Sequence, residues 1–214
     1  MAPRIQVLAG VNGAGKSSIG GAALRSAGAD YYNPDEVARE LAERGATLAD
    51  ANARAWAAGR ELLERAINRG WSFAFETTLS GSTITRLLQE AAARGSEVFV
   101  WYVGLANADL HVAPVKARVR QGGHDIPEAL IRERYERSLL NLIALLPSLT
   151  ELRLYDNSAE ADPASGVAPQ PRLILHLRVG VVVDPPDLSG TPEWARPIVA
   201  AALRAAGHVE GTTG

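Results

Sequence analysis

The octapeptide Gly10-Val11-Asn12-Gly13-Ala14-Gly15-Lys16-Ser17 constrains this chain more than any other stretch. It fits the pattern GxxxxGK[ST], in which glycines let the backbone wrap an anion while the next helix points its positive end at it. Such a turn belongs between a buried strand and a helix. The flanks comply, with the apolar run RIQVLA at 4–9 before it and a helical pattern from about Lys16 after it. Lys16 and Lys116 are the only lysines among 22 basic residues, so a lysine at the one position that requires it carries weight. On this reading Gly10, Asn12, Gly13, Ala14, Gly15, Lys16, Ser17 and Ser18 hold ATP, Lys16 bridges the β- and γ-phosphates, and Ser17 ligates Mg²⁺.

Along the rest of the chain, apolar runs alternate with helical patterns, which is the signature of a parallel sheet. Strands are expected at 4–9, 29–32, 71–76, 97–105 and 150–156. Asn33 reads as a helix N-cap, with Pro34 first in the helix and Asp35 and Glu36 in its first turn. A long helix is expected over 48–69, stopped by Gly70, and another ends near Gly95. Helices at 111–121 and 127–146 flank a Gly122-Gly123 break that reads as the hinge of a lid. Residues 157–171 read as a loop, 172–178 and 180–184 as a hairpin, and 191–206 as an amphipathic helix anchored by Trp194. The expected fold class is α/β: a three-layer P-loop NTPase fold with a mostly parallel five-stranded sheet and a C-terminal hairpin plus helix. One P-loop kinase domain is expected over 1–214, with its core at 4–156 and a C-terminal decoration at 157–214.

Composition narrows the function. The 22 Lys+Arg against 24 Asp+Glu give a net charge of −2, which excludes a strongly basic nucleic-acid binder. With no cysteine there are no disulfides, thiolate metal sites or cysteine nucleophiles, and the four histidines lack metal-ligand spacing. The N-terminal apolar run is too short for a signal peptide, and no window approaches the ~20 apolar residues of a membrane span. A cytoplasmic protein with neither nucleic-acid nor membrane partners is expected. No guanine-reading NKxD occurs, and the strand FAF ends in Glu76 followed by Thr77-Thr78 rather than in the Asp-Glu pair of motor ATPases. By elimination this favours a small-molecule kinase.

In a doubly wound sheet, ligands sit at the carboxyl ends of the strands. Two acids fall there. Asp35 can take a proton from an acceptor hydroxyl, or it can simply complement the helix dipole. Glu76 ends an apolar strand, where a carboxylate is costly unless a ligand or donor meets it. Phosphoryl transfer also needs cations. Arg118 lies beside the apolar stripe of its helix while Arg120 points away. In the next helix Arg132 can pair with Glu136 and Glu133 with Arg137, which leaves Arg134 without a carboxylate at helical spacing.

Taken in order, AGVNGAGKSS (9–18), NPDE (33–36), ETTLSG (76–81), YVGL (102–105), GGHDIP (122–127), RYERSL (134–139) and YDNS (155–158) resemble the zeta-toxin family of P-loop kinases. A weaker echo follows in TPEWARP. The resemblance implies an ATP- and Mg²⁺-dependent kinase that phosphorylates the 3′-hydroxyl of the sugar in UDP-N-acetylglucosamine and is blocked by an antitoxin protein. It makes Asp35 the base, with Lys16, Arg118, Arg134 and His124 around the transferring phosphate. Glu76, Thr77 and Thr78 fall on the Glu-x-Thr that contacts the sugar nucleotide. Three positions depart. Arg60 stands where the family has a substrate-contacting Glu, Leu79-Ser80-Gly81 replaces a basic residue, and His124 replaces a γ-phosphate arginine. Two alternatives stay open: a kinase for another hydroxylated metabolite or antibiotic, and a nucleotide-gated regulatory protein without phosphotransfer.

Overall fold

The computed structural model describes residues 1–11, 13–16, 31–106, 128–159 and 171–210. Seven strands form one sheet: β1 (Arg4–Ala9), β2 (Tyr31–Tyr32), β3 (Phe73–Thr77), β4 (Glu97–Gly104), β5 (Glu151–Asp156), β6 (Arg172–Arg178) and β7 (Val181–Asp184), in the order β2-β3-β1-β4-β5-β6-β7. The described helices are α1 (Pro34–Glu43), α2 (Leu48–Arg69), α3 (Ser82–Ala93), α4 (Glu128–Leu145) and α5 (Arg196–Glu210). None of them is long and apolar enough to cross a membrane.

Strand β1 lies centrally, with Ile5, Val7 and Ala9 buried on one face and Leu8 buried on the other at its carboxyl end. Its register sets the level of the site. Leu8 lies opposite Glu76, and Ala9 opposite both Thr77 of β3 and Tyr102 of β4. The carboxyl ends of three neighbouring strands therefore come level just where the glycine-rich turn departs.

Local chemistry explains the helix bounds. Asn33 caps α1 by accepting from Asp35 N at 2.9 Å, with Pro34 in the first turn. Thr47 caps α2 through Asp50 N, and Gly70, at φ +65°, ends it in the left-handed conformation that glycine adopts without steric cost. One face of the sheet carries Val7, Val100 and Leu152 into the main core. There they meet Leu63 of α2, Leu88 of α3, Leu142 of α4 and Ile198 of α5.

Three expectations are corrected. Strand β3 starts at Phe73 rather than Trp71, because Trp71 N still bonds back to Ala66 O at the end of α2 and its ring is exposed. The C-terminal hairpin joins the sheet instead of closing outside it. Strand β6 pairs antiparallel with β5, making the sheet mixed and covering an edge that would otherwise be left open. The terminal helix begins at Arg196, after a 3₁₀ turn over Glu193–Ala195. That turn seats Trp194 flat on Gly104, where an added Cβ would come 2.1 Å from the indole ring. The Trp194 indole N–H donates to Asp156. The helix expected at 111–121 and the lid around Gly122-Gly123 lie outside the described residues.

Candidate active site

The turn after β1 is shaped by backbone. Gly10, Gly13 and Gly15 have φ of +136°, +84° and +79°, which L side chains rarely adopt. Gly10 is pressed on β4, and a Cβ there would sit 2.2 Å from the Val103 carbonyl oxygen. At Gly15 a Cβ would meet the Asn157 side-chain nitrogen at 2.4 Å. Asn157 follows β5 and is the clamp of the turn. Its N–H donates to Gly104 O and its Nδ2 donates to Ala14 O at 3.0 Å. Lys16 opens the helix, and its ammonium curls back over the turn to donate to Val11 O at 3.3 Å. Asn12, Ser17 and Ser18 lie outside the described residues.

Lys16 and Glu76 form a buried ion pair, Nζ to Oε1 at 3.4 Å. The other oxygen of Glu76 accepts from Tyr31 Oη at 2.8 Å and from Asn33 Nδ2 at 3.3 Å. The costly carboxylate at the end of β3 is thus met by three donors. Asn33 works from both ends of its amide: the nitrogen holds Glu76 while the oxygen caps α1 and so positions Asp35. Neither Tyr31 nor Asn33 stands out in the sequence as a site residue.

Beside this junction opens a cavity of about 310 Å³. It brings together six of the residues marked in the sequence: Asp35, Arg60, Glu76, Thr77, Thr78 and Arg134. Arg118 and His124 lie outside the described residues. One wall is a face of α2 carrying Asn52, Ala55, Trp56, Gly59 and Arg60, residues three and four apart as a helix face demands. Gly59 allows the close approach, since a Cβ there would be 2.7 Å from the Tyr32 ring. The Tyr32 hydroxyl donates to Ala55 O at 2.5 Å, and burial pushes its pKa up.

The opposite wall is the loop after β3. Leu79 is held at φ +56° with its side chain in the core, a strained backbone for a non-glycine residue. What holds it comes from α4. Ser138 Oγ donates to Thr78 O at 2.7 Å and Asn141 Nδ2 to Leu79 O at 2.8 Å. The fully buried Tyr102 hydroxyl meets Ser138 at 2.8 Å, and desolvation raises its pKa well above the usual phenol value. Thr78 and Ser80 bond to each other across the loop at 2.9 Å.

On α4, Arg137 pairs with Glu133 at 2.7 Å, but Arg132 pairs with Glu128 at 2.7 Å rather than with Glu136. Both bonds place the acid four residues ahead of the base, the favoured orientation along a helix. Arg134 lines the cavity and makes no ion pair among the described residues.

A glycine-rich turn on a mostly parallel α/β sheet, with an acid-bearing cavity alongside, defines a P-loop kinase-like domain. The chain belongs to the family described as AAA domain (AAA_33), whose model matches residues 5–138. An uncharacterized protein of Haemophilus influenzae (strain ATCC 51907 / DSM 11121 / KW20 / Rd) is 35% identical over 130 residues, 59% of this chain and 88% of that protein. Among solved structures, the AvrRxo1-ORF1:-ORF2 complex with ATP matches with a TM-score of 0.55 at 18% identity, over 94% of this chain and 64% of that one. The PezAT chromosomal toxin-antitoxin system of Streptococcus pneumoniae matches with a TM-score of 0.52 at 16% identity, over 78% of this chain and 73% of that one. At these identities the structural likeness establishes the fold.

Proposed function

We propose that this protein is an ATP-dependent small-molecule kinase of zeta-toxin type, transferring the γ-phosphate to a hydroxyl of a nucleotide sugar such as UDP-N-acetylglucosamine. The observation that carries this reading is that Asp35 lines the same cavity as Glu76, the ion-pair partner of Lys16, so that an acceptor hydroxyl in the cavity lies beside the glycine-rich turn. The cradle suits the phosphates of ATP, because its three positive-φ glycines let the backbone wrap an anion ahead of Lys16. The structural likeness to a complex solved with ATP supports the same nucleotide.

In the transfer, the acceptor oxygen forms a bond to the γ-phosphorus while the bond to the β–γ bridging oxygen breaks. The electron pair leaves on ADP, and the hydroxyl proton passes to the Asp35 carboxylate. Lys16 swings from Glu76 and Val11 O to the phosphates, and Arg134 meets the moving charge from the cavity wall, a role this reading also assigns to Arg118 and His124. Glu76, Thr77 and Thr78 orient the acceptor. The hydroxyl of Ser17 is the hard oxygen donor that would hold Mg²⁺, which would neutralise charge between the phosphates. A requirement for ATP is consistent with a cytoplasmic location. The likeness to the toxin-antitoxin system supports an antitoxin protein as a partner.

The test incubates wild type, Lys16→Ala and Asp35→Asn with Mg-ATP and UDP-N-acetylglucosamine, with mass spectrometry of the products. A phosphorylated sugar nucleotide made only by wild type is expected. Consumption of ATP with the sugar nucleotide unchanged would replace it by another hydroxylated metabolite. ATP bound but not consumed would leave a nucleotide-gated regulatory protein.

A further inference from the structure

The α2 wall of the cavity holds two groups that the proposed transfer does not use. Trp56 is 51% exposed, which is unusual for the largest apolar side chain on a helix that packs into a core. Trp71 is equally exposed, but it lines no described cavity and the Arg69 guanidinium lies 4.8 Å over its ring. Trp56 lines the cavity instead. One helical turn on, the Arg60 guanidinium carbon lies 5.8 Å from the Trp56 ring centroid. Its Nη1 is tied to Glu64 at 3.0 Å, and Glu64 itself does not line the cavity. The Arg60 Nε is buried and makes no hydrogen bond. Because that Nε has no exposed surface, a ligand in the cavity would meet the guanidinium through its terminal nitrogens.

The charges in the cavity point the same way. Glu76 accepts from Tyr31 and Asn33 as well as pairing with Lys16, so it stays hydrogen-bonded when the lysine turns to the phosphates, and Asp35 is committed to the hydroxyl. Of the two cations that line the space, Arg134 is taken by the transferring phosphate, which leaves Arg60, tied to Glu64 through Nη1, to meet the acceptor.

We infer that the phosphate acceptor carries a flat ring, which stacks on Trp56, and an anionic group, which Arg60 holds. This inference rests on the kinase reading for the word acceptor, but its binding geometry does not. Ring compounds bearing a phosphate or carboxylate satisfy it, whereas polycationic antibiotics and bare neutral sugars do not. Gly59, pressed on Tyr32, fixes the helix so that Trp56 and Arg60 present themselves together. The pair acts through binding, so it determines specificity and leaves the chemistry to Asp35.

Calorimetric titrations with uridine 5′-monophosphate and with uridine, at saturating Mg-ADP so that the cradle is filled, test this directly. In wild type the monophosphate is expected to bind at least 10-fold tighter than the nucleoside. Arg60→Gln should abolish that preference, and Arg60→Lys should recover part of it. Trp56→Ala should weaken both ligands at least 10-fold, and Trp56→Phe should restore them, which also guards against a folding defect in the alanine variant. Equal affinity of wild type for the two probes, an undiminished preference in Arg60→Gln, or unchanged affinities in Trp56→Ala would each overturn the inference. A wild type that shows the expected binding yet transfers no phosphoryl group would retire the kinase reading and leave the binding assignment standing.

Discussion

The glycine-rich turn, proposed as the phosphate cradle, and the cavity proposed for the acceptor adjoin at Glu76, yet they are built from different materials. The cradle is backbone. Its shape comes from three positive-φ glycines, two of them wedged against Val103 and Asn157, and only Lys16 among its described residues contributes a functional side chain. The cavity is side chains. Beyond the ends of β2 and β3, its walls come from side chains of α1, α2, the loop after β3 and α4. A backbone site admits few sequences and one ligand chemistry. A side-chain site on the same frame can be refitted for many acceptors.

The sharpest way to break this contrast is at the junction. Lys16→Ala should abolish phosphotransfer, by 10²–10³-fold or more in kcat. It should also leave Glu76 buried without its cation, which costs about 3–5 kcal/mol in such pairs. Adding Glu76→Gln is expected to return much of that stability, because the amide still accepts from Tyr31 and carries no charge. It should return none of the activity. Denaturant unfolding of the single and double variants, beside single-turnover kinetics, separates the two effects. If the double variant is as unstable as Lys16→Ala, the pair is not what stabilises the junction.

The same contrast explains how much could be read from the sequence. The C-terminal bound of α2 was legible because its stop signal, Gly70, is local, while the Thr47 cap was not read. Asp35 and Glu76 were legible because each follows or ends a strand, and strand ends have known places in this fold. Trp56 was not, since a tryptophan at helical spacing reads as core until the neighbouring wall is known. Ser138 and Asn141 were not legible either, because the carbonyls they hold lie 60 and 62 residues away in the chain. The hairpin was legible as two strands but not as part of the sheet, because its partner β5 is specified by packing. The contact Glu128–Arg132 replaced the expected Arg132–Glu136 pair because two acids flanked one base and only geometry chose between them.

A smaller perturbation should act on the cavity alone. Ser138 is fully buried and joins Tyr102, Thr78 O and the strained Leu79 segment. Ser138→Ala leaves the Tyr102 hydroxyl and the Thr78 carbonyl without that partner, at a cost of about 1–3 kcal/mol. The loop bearing Thr78 and Ser80 then loses one of its two pins on α4, with Asn141 keeping the other. The expected outcome is a raised KM for the acceptor with the KM for ATP unmoved, read from initial rates with each substrate varied in turn. Equal increases in both constants would show that the two regions are mechanically coupled through β3.

The mirror experiment touches only the cradle and should have the smallest effect. Asn157 holds Ala14 O with one neutral hydrogen bond and fills the space above Gly15. Asn157→Ala removes both, and a partly exposed neutral bond of this kind is worth about 1 kcal/mol, or about 5-fold in an equilibrium constant. Because Asn157 N still donates to Gly104 O, the chain after β5 keeps its course and only the turn loosens. Affinity for ATP should fall about 5-fold while the affinity of the α2 wall for an aromatic anion is unchanged, as equilibrium titration of each ligand would show. Gly15→Ala makes the complementary case. Its Cβ collides with the Asn157 side chain and its φ opposes any L residue, so truncating Asn157 as well should relieve only the collision. Partial recovery of ATP binding in the double variant, short of wild type, would apportion the cradle's rigidity between the clamp that Asn157 supplies and the backbone conformation that glycine alone supplies.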